Sequence, residues 1–231
     1  MEENGNLLLK PIARIKSDFH GKFGIPRQSG LAESLKASIV FENDYKSREY
    51  LREIDIYSHL WIIWGFSENR DVKAKPTVRP PRLGGNKRVG VFATRSPYRP
   101  NPVGISAVKI DYIEESKENG TVIHILGGDM ADGTPVYDIK PYIPEFDSIP
   151  EAEGGFAREK YDYSLDVKIS DDMLAKIAPE DRDGLIEILK QDPRPSYQND
   201  PERIYSFEYG KYLISFRVEN GVLYVTEIRS S

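Results

Sequence analysis

The chain has 231 residues, a mass of 26.3 kDa and a formal net charge of −5. The absence of cysteine excludes disulfides, a cysteine nucleophile and thiolate metal sites, and fits a reducing cytoplasm. No apolar run approaches the roughly 18 residues that a membrane-spanning helix needs. We therefore expect no membrane segment. Residues 1–10 have no cationic start followed by a long apolar stretch, so we expect no signal peptide either.

The first part of the chain is typical of short strands separated by glycine and proline. The candidate strands are residues 59–66, 89–93, 103–113, 121–126 and 136–140. Asn119-Gly120 predicts a hairpin turn between two of them. This pattern favours a β-barrel or a β-sandwich.

A stiff basic loop lies between these strands. Residues 76–104 contain six prolines and four glycines, which disfavour regular structure. The wider segment 72–110 has nine basic side chains and no acidic one. Removing this +9 block from the net charge of −5 leaves −14 on the rest of the chain. A mildly acidic total therefore does not exclude a polyanionic partner.

The tail has a different character. Residues 163–169 predict a strand, Asp171 or Asp172 could cap a short helix through Ile177, and residues 180–190 predict a helix ended by Pro193. Residues 204–209, 212–218 and 222–228 predict a β-meander. The sequence thus predicts a β-rich α+β protein, with one domain over residues 1–155 and a smaller α+β domain over residues 156–231.

None of the standard cofactor motifs is present. The sequence has no G-x-G-x-x-G, no P-loop and no G-x-S-x-G elbow. His20, His59 and His124 show no metal-ligand spacing, so we expect no metal. The candidate site is instead a set of polar loops at residues 22–30, 79–86, 94–101, 129–142 and 192–197. Arginines beside glycine amides suit a carboxylate or a phosphate, and Tyr98 and Tyr197 could stack on a base. Each loop taken alone could equally be a solvated turn.

Five strings in these loops and strands carry a family resemblance. They are KFGIPRQSGL, YSHLWIIWGF, VRPPRLGGNKRVGVFATRSPYRPNPVGIS, DGTPVYDIKPYIPEFDS and DPRPSYQ. In this order they resemble the TsaA-like family of tRNA methyltransferases. The resemblance implies an S-adenosylmethionine-dependent enzyme that methylates N6 of threonylcarbamoyladenosine at tRNA position 37. It also implies a small N-terminal β-barrel, a C-terminal α+β domain, a homodimer and tRNA as the partner.

The resemblance also implies which residues contact the methyl donor. They are Pro26, Arg27, Gln28, Phe66, Ser67, Arg95, Ile105, Asp132, Gly133, Thr134 and Pro135. Many family members have Phe-His where this chain has Phe66-Ser67. A histidine at that position therefore cannot be an indispensable base in this protein.

The acceptor nitrogen implied by the resemblance belongs to a ureido group, so its lone pair is delocalised and a base is plausible. The candidates are Asp138, Asp132 and Tyr197. If residues 136–140 form a regular strand, Asp138 shares a face with Val136 and Lys140.

We expect Arg95 to serve the donor. The modified base or nearby phosphates would be bound by Arg79, Arg82, Arg99, Tyr98, Lys140 and Arg194. Lys73, Lys75, Lys87 and Arg88 would form a general phosphate surface. Two alternatives stay open, a non-catalytic RNA-binding barrel and a methyltransferase acting on another anionic small molecule.

Overall fold

A computed structural model describes residues 2–3, 5–21, 23–66, 73–80, 87–160, 163–194 and 200–230. The strands are β1 (Glu2–Glu3), β2 (Asn6–Leu7), β3 (Ala13–Ser17), β4 (Lys36–Phe41), β5 (His59–Gly65), β6 (Thr77–Val78), β7 (Val89–Gly90), β8 (Val103–Ser116), β9 (Gly120–Leu126), β10 (Pro135–Pro141), β11 (Asp166–Lys168), β12 (Tyr205–Tyr209), β13 (Tyr212–Glu219) and β14 (Val222–Ser230). The α-helices are α1 (Pro144–Asp147), α2 (Asp171–Leu174) and α3 (Pro179–Lys190). Short 3₁₀ helices cover Asn43–Tyr45, Arg48–Leu51, Ile54–Ile56, Val91–Ala93 and Gly155–Lys160.

Six strands close into an antiparallel barrel in the order β10–β3–β4–β9–β8–β5, with β5 pairing back to β10. This confirms the small barrel that the family resemblance implies. Alternation along β3 places Ala13 and Ile15 in the barrel core, while Arg14 and Lys16 point to solvent. The barrel interior is filled by aliphatic side chains such as Ile39, Leu60, Ile62 and Ile123.

The hairpin predicted at Asn119-Gly120 is confirmed. Strands β8 and β9 pair antiparallel from Ser116 opposite Gly120, and Gly120 has a φ of +68°. A positive φ is a conformation that glycine adopts without a steric penalty.

Three local predictions were wrong in detail. The strand expected over residues 163–169 covers only β11, Asp166–Lys168. The expected strand over residues 89–93 is only β7, and Val91–Ala93 form a 3₁₀ helix instead. Helix α2 is capped by Ser170, whose side chain accepts a hydrogen bond from the Met173 amide, rather than by Asp171 or Asp172. Serine is among the strongest N-cap residues, and here it precedes both aspartates.

The C-terminal part forms a four-stranded sheet in the order β11–β14–β13–β12. The meander β12–β13–β14 is antiparallel as expected, and β11 adds a parallel strand beside β14. Helix α3 buries Leu185, Ile188 and Leu189 in the core of this sheet.

That second core also contains Phe19, Ala32 and Leu35 from the β3–β4 connection. The sheet therefore packs against a loop of the barrel. Among the described residues, no helix has the length and apolarity needed to cross a bilayer.

Candidate functional site

Three connections leave the barrel at the same end. They link β3 to β4, β5 to β8, and β9 to β10, because antiparallel neighbours place the end of one strand beside the start of the next. These connections carry three of the five predicted polar loops in full and the first part of a fourth, residues 129–142, whose remainder is mostly strand β10. Three predicted site residues, Ser67, Arg82 and Tyr197, lie outside the described residues.

Two of these connections meet through Gln28 and Arg95. The Arg95 guanidinium donates a hydrogen bond from Nη1 to Gln28 Oε1. Gln28 in turn donates from Nε2 to the Arg27 carbonyl oxygen at 2.6 Å, and Pro26 is buried beneath them. The structure thus brings Arg95 together with Pro26, Arg27 and Gln28, which lie almost 70 positions earlier in the chain.

The third connection contributes Asp129, the first residue of the predicted loop 129–142, to which the sequence analysis assigned no role of its own. Its Oδ1 accepts a hydrogen bond from Ser106 Oγ at 2.6 Å, and Ser106 Oγ accepts from Trp64 Nε1 at 2.9 Å. Burial raises the pKa of the Asp129 carboxyl, and the hydrogen bond from Ser106, the Ser29 amide and the charge of Arg95 oppose that shift. A desolvated carboxylate therefore lies behind the predicted donor residues.

Asp132 and Gly133 form the turn between β9 and β10. Asp132 Oδ1 accepts from the Ser17 amide at 3.2 Å, and the Gly133 amide donates to the Ile15 carbonyl oxygen at 2.8 Å. Gly133 has a φ of +73°, and no heavy atom lies within 4 Å of the place where a β-carbon would stand. Its backbone is therefore open to close approach by a ligand.

Thr134 and Pro135 are buried, with Thr134 only 2% exposed. Their side chains are therefore on the protein side of the turn rather than on its solvent side. A ligand above this turn would meet its backbone and the half-buried Asp132.

Apolar surface is supplied by Phe66 and Ile105. The Phe66 ring packs edge-on against Trp64 with 4.5 Å between the ring centroids, and its amide donates to the Pro102 carbonyl oxygen at 3.1 Å. Ile105 is 48% exposed on the outer face of the barrel, opposite Ile63 on β5.

Strand β10 is not regular, which changes the expected place of Asp138. A bulge lies between Val136 and Asp138, so the alternation of side chains is interrupted there. Val136 points into the core and Ile139 packs against it, while Asp138 is half-exposed and lies 2.8 Å from Lys140 Nζ. Asp138 and Lys140 therefore share a face as predicted, and Val136 does not share it with them.

The basic loop is held by local contacts. Arg99 Nη2 donates to the Thr94 carbonyl oxygen at 3.1 Å, and Lys75 Nζ lies 5.0 Å from the centre of the Tyr98 ring. Arg79 is exposed, as is Arg95. One face of Tyr98 is thus already covered by a cation.

The Arg194 side chain forms an ion pair within the C-terminal part. It donates from Nε and Nη2 to the two carboxylate oxygens of Asp192, each at 2.8 Å, and Tyr163 Oη donates to the same carboxylate at 3.0 Å. Burial alone would raise the pKa of Asp192, but the Arg194 hydrogen bonds and charge lower it. The bidentate pair borders a cleft of about 220 Å³ between residues 23–27 and residues 188–194.

These residues suit the methyl donor that the resemblance implies. An exposed arginine matches its carboxylate, apolar Ile105 and Phe66 match an adenine ring, and the carboxylate of Asp132 can accept from hydroxyl or ammonium groups. In the described part of the chain, no group of three or more histidine, aspartate or glutamate side chains is arranged to hold a metal ion.

The sequence interpretation included Asp129 and Asp192 in candidate loops without giving either a role, and it missed their partners Ser106 and Tyr163. One signal for Asp129 is available in the sequence, since an aspartate directly follows Gly127-Gly128 at the end of an apolar strand. Ser106, the partner of Asp129, lies 23 residues away in the chain, and Trp64, which donates to Ser106, lies 65 residues away from Asp129, so no local pattern identifies them.

Two family models match the chain in order. The model described as the tRNA-methyltransferase O N-terminal domain matches residues 14–148. The model described as the TrmO C-terminal domain matches residues 162–231.

Similar proteins include two named tRNA (adenine(37)-N6)-methyltransferase. The one from Escherichia coli (strain K12) is 40% identical over 198 residues, covering 83% of each chain. The one from Eikenella corrodens is 42% identical over 173 residues, covering 74% of this chain and 97% of its own. A crystal structure of TrmO from Pseudomonas aeruginosa superposes with a TM-score of 0.78 at 27% identity, over 97% of this chain and all of the other.

Proposed function

Because the chain belongs to the tRNA-methyltransferase O family, we propose that it transfers a methyl group from S-adenosylmethionine to N6 of threonylcarbamoyladenosine at tRNA position 37. The observation that carries this proposal is the position of the matched motifs. The N-terminal match contains all three connections that meet at one end of the barrel.

The donor contacts lie on or beside the rim, the end of the barrel from which the β3–β4, β5–β8 and β9–β10 connections leave. The bound donor supplies an electrophilic methyl group on a sulfonium. Arg95, held by Gln28, binds the donor's carboxylate, while Phe66 and Ile105 contact its adenine ring. The remaining donor contacts are Pro26, Arg27, Ser67 and the turn formed by Asp132, Gly133, Thr134 and Pro135. This part of the rim orients the donor and excludes water from it.

Asp138 is the leading candidate for the base that takes the acceptor's N6 proton. Its carboxylate is half-exposed and contacts Lys140, so it can reach a substrate outside the barrel. Asp132 is the second candidate, but its Oδ1 already accepts the Ser17 amide. Tyr197 is the third.

The acceptor side is basic. Arg79, Arg82, Arg99, Tyr98, Lys140 and Arg194 are proposed to bind the modified base and its phosphates. The Asp192–Arg194 pair supports this role through the cleft that it borders, beside Arg27. The exposed Lys73, Lys75, Lys87 and Arg88 would attract the rest of the tRNA.

We infer two domains, residues 1–155 and 156–231, and a homodimer that acts in the cytoplasm. Two separate hydrophobic cores support the division, although Phe19, Ala32 and Leu35 join the second core.

The 48% exposed Ile105 beside the rim supports a partner subunit that completes the site. Light scattering on the purified chain tests the dimer, and a monomeric mass would contradict it.

The decisive experiment measures methyl transfer to threonylcarbamoylated and unmodified tRNA side by side. We expect transfer to the modified tRNA alone. Equal transfer to both would refute the proposed acceptor. Absence of donor binding would favour a non-catalytic RNA-binding barrel, and donor binding with no tRNA methylation would favour another anionic substrate.

A further inference from the structure

Asp129 joins segments that are distant in sequence. Its carboxylate accepts a hydrogen bond from Ser106 Oγ on β8 at 2.6 Å, and the Ser29 amide of the β3–β4 connection helps to oppose the rise in pKa that burial causes. The adjoining backbone is fixed as well, because the Gly30 amide donates to the Gly127 carbonyl oxygen at 2.9 Å.

The hydrogen bonds continue into the barrel core. Ser106 is 1% exposed, and its oxygen accepts from the indole nitrogen of Trp64 at 2.9 Å. Since the indole nitrogen can only donate, Ser106 must use its own proton toward Asp129. The direction of the chain from Trp64 through Ser106 to the carboxylate is therefore determined.

Asp129 is linked to the Arg95 and Gln28 pair through the backbone bond between Gly30 and Gly127 and through the charge of Arg95. Gln28 lies two residues before Gly30, whose amide is bonded to Gly127, and Gln28 Oε1 accepts a hydrogen bond from the Arg95 guanidinium. The negative charge of Asp129 also attracts Arg95. A long, exposed arginine side chain that is held on one side by an amide and on the other by a charge loses less freedom when it binds a ligand.

A buried carboxylate is a poor way to stabilise a fold, because desolvation opposes its charge. A charged group that fixes three connections in one arrangement is of more use to a binding site than to stability. We propose that Asp129 is a positioning residue that holds Gln28 and Arg95 in the arrangement that receives the carboxylate of the methyl donor. This inference rests on the proposed function and adds a residue to it.

The test compares two ligands by calorimetry. S-adenosylhomocysteine carries the amino-acid carboxylate, and 5′-methylthioadenosine lacks it. Asp129→Asn should weaken S-adenosylhomocysteine binding about tenfold, within the range for coupled neighbours, and leave 5′-methylthioadenosine binding unchanged. A general structural defect would weaken both ligands.

A double-mutant cycle tests the route through Arg95. In an Arg95→Ala background, Asp129→Asn should cause no further loss of S-adenosylhomocysteine affinity. Equal losses in both backgrounds would overturn the proposed route. The control is Asp147→Asn, since Asp147 accepts the Ile143 amide at 2.7 Å and does not belong to this network.

Ser106→Ala provides a second variant if Asp129→Asn does not fold. It keeps the carboxylate and removes its hydrogen-bond donor, so S-adenosylhomocysteine affinity should fall about threefold. Unchanged affinity in every folded variant would refute the role of Asp129. Wild-type protein that binds neither ligand would instead refute the proposed function, and the inference with it.

Discussion

Gly104 leaves the space that the indole ring of Trp64 occupies, because a β-carbon at position 104 would overlap ring atoms Cε2 and Cζ2. Cε2 is bonded to the nitrogen that donates to Ser106. A small residue at the start of β8 thus permits the hydrogen-bond chain that ends at Asp129.

Gly104→Ala should therefore destabilise the protein by about 1–3 kcal/mol, the usual cost of overpacking a core. We also expect weaker donor binding, since Trp64 must move away from Ser106. Thermal unfolding and donor titration measure the two effects. Gly90→Ala is the matched control, because a β-carbon there meets no heavy atom within 4 Å. Equal unfolding temperatures for the two variants would contradict this account.

Arg95 and Lys87 are expected to have separate roles although both are exposed. Arg95→Ala should lower donor affinity by at least about tenfold, as expected for a lost hydrogen bond to a charged group. Lys87→Ala should leave donor affinity intact, weaken tRNA binding and reduce the slope of log K against log salt by about 1. Calorimetry with the donor and tRNA titrations at several salt concentrations distinguish them. Equal donor affinity in both variants would refute this division.

Asp138→Asn tests the proposed base. Loss of a positioned base should reduce kcat by about 10²-fold or more while donor affinity stays unchanged. Asp132→Asn should instead affect donor binding, since Asp132 supports the turn at Gly133. Single-turnover methyl transfer and donor calorimetry separate these outcomes. A normal turnover rate for Asp138→Asn would eliminate Asp138 as the base.

Arg194→Ala should destabilise the protein by about 3–5 kcal/mol, because it leaves a largely buried carboxylate without its partner. The side chains of Arg194 and Asp192 are 9% and 12% exposed. Arg229→Ala breaks an equally short pair with Glu227 whose side chains are 66% and 44% exposed, and should change stability by at most about 1 kcal/mol. Urea unfolding of both variants gives the comparison.

Acidification should reduce the effect of Arg194→Ala. Since Arg194 lowers the pKa of Asp192, the pair's contribution is present above the pKa of an unfolded aspartate and disappears as pH falls through the lowered value. A difference between wild type and variant that grows in acid would contradict this interpretation.

Asp18→Asn should raise the unfolding temperature at neutral pH. Burial raises the pKa of Asp18 and the Asp181 carboxylate raises it further, while His20 and Lys36 oppose them weakly. Ionisation of Asp18 therefore destabilises the fold as pH rises through the raised pKa, and at a pH well below the ordinary aspartate pKa of 3.8 the group is protonated in both states. The gain should vanish in that acidic range. The exposed Asp44→Asn is the control, and an equal gain there would contradict the prediction.

Local patterns in the sequence predicted much of the fold. The apolar run of β5, the alternation of β8, the turn at Gly120 and the meander β12–β14 are all signals between near neighbours in the chain. Strands β3 and β4 were missed, although both belong to the barrel. Their short segments carry exposed basic residues, and they become strands because the closing barrel pairs their backbones.

The motifs also identified the polar loops as a candidate site, and the family resemblance assigned methyl transfer to them. The sequence by itself determined the strand-rich pattern, the basic block and the order of the motifs. Only the tertiary structure decided that Arg95 meets Gln28, that Asp129 lies behind them, and that a bulge separates Asp138 from the face of Val136. These relationships depend on barrel closure and strand register, which are contacts between residues far apart in the chain and leave no local periodicity.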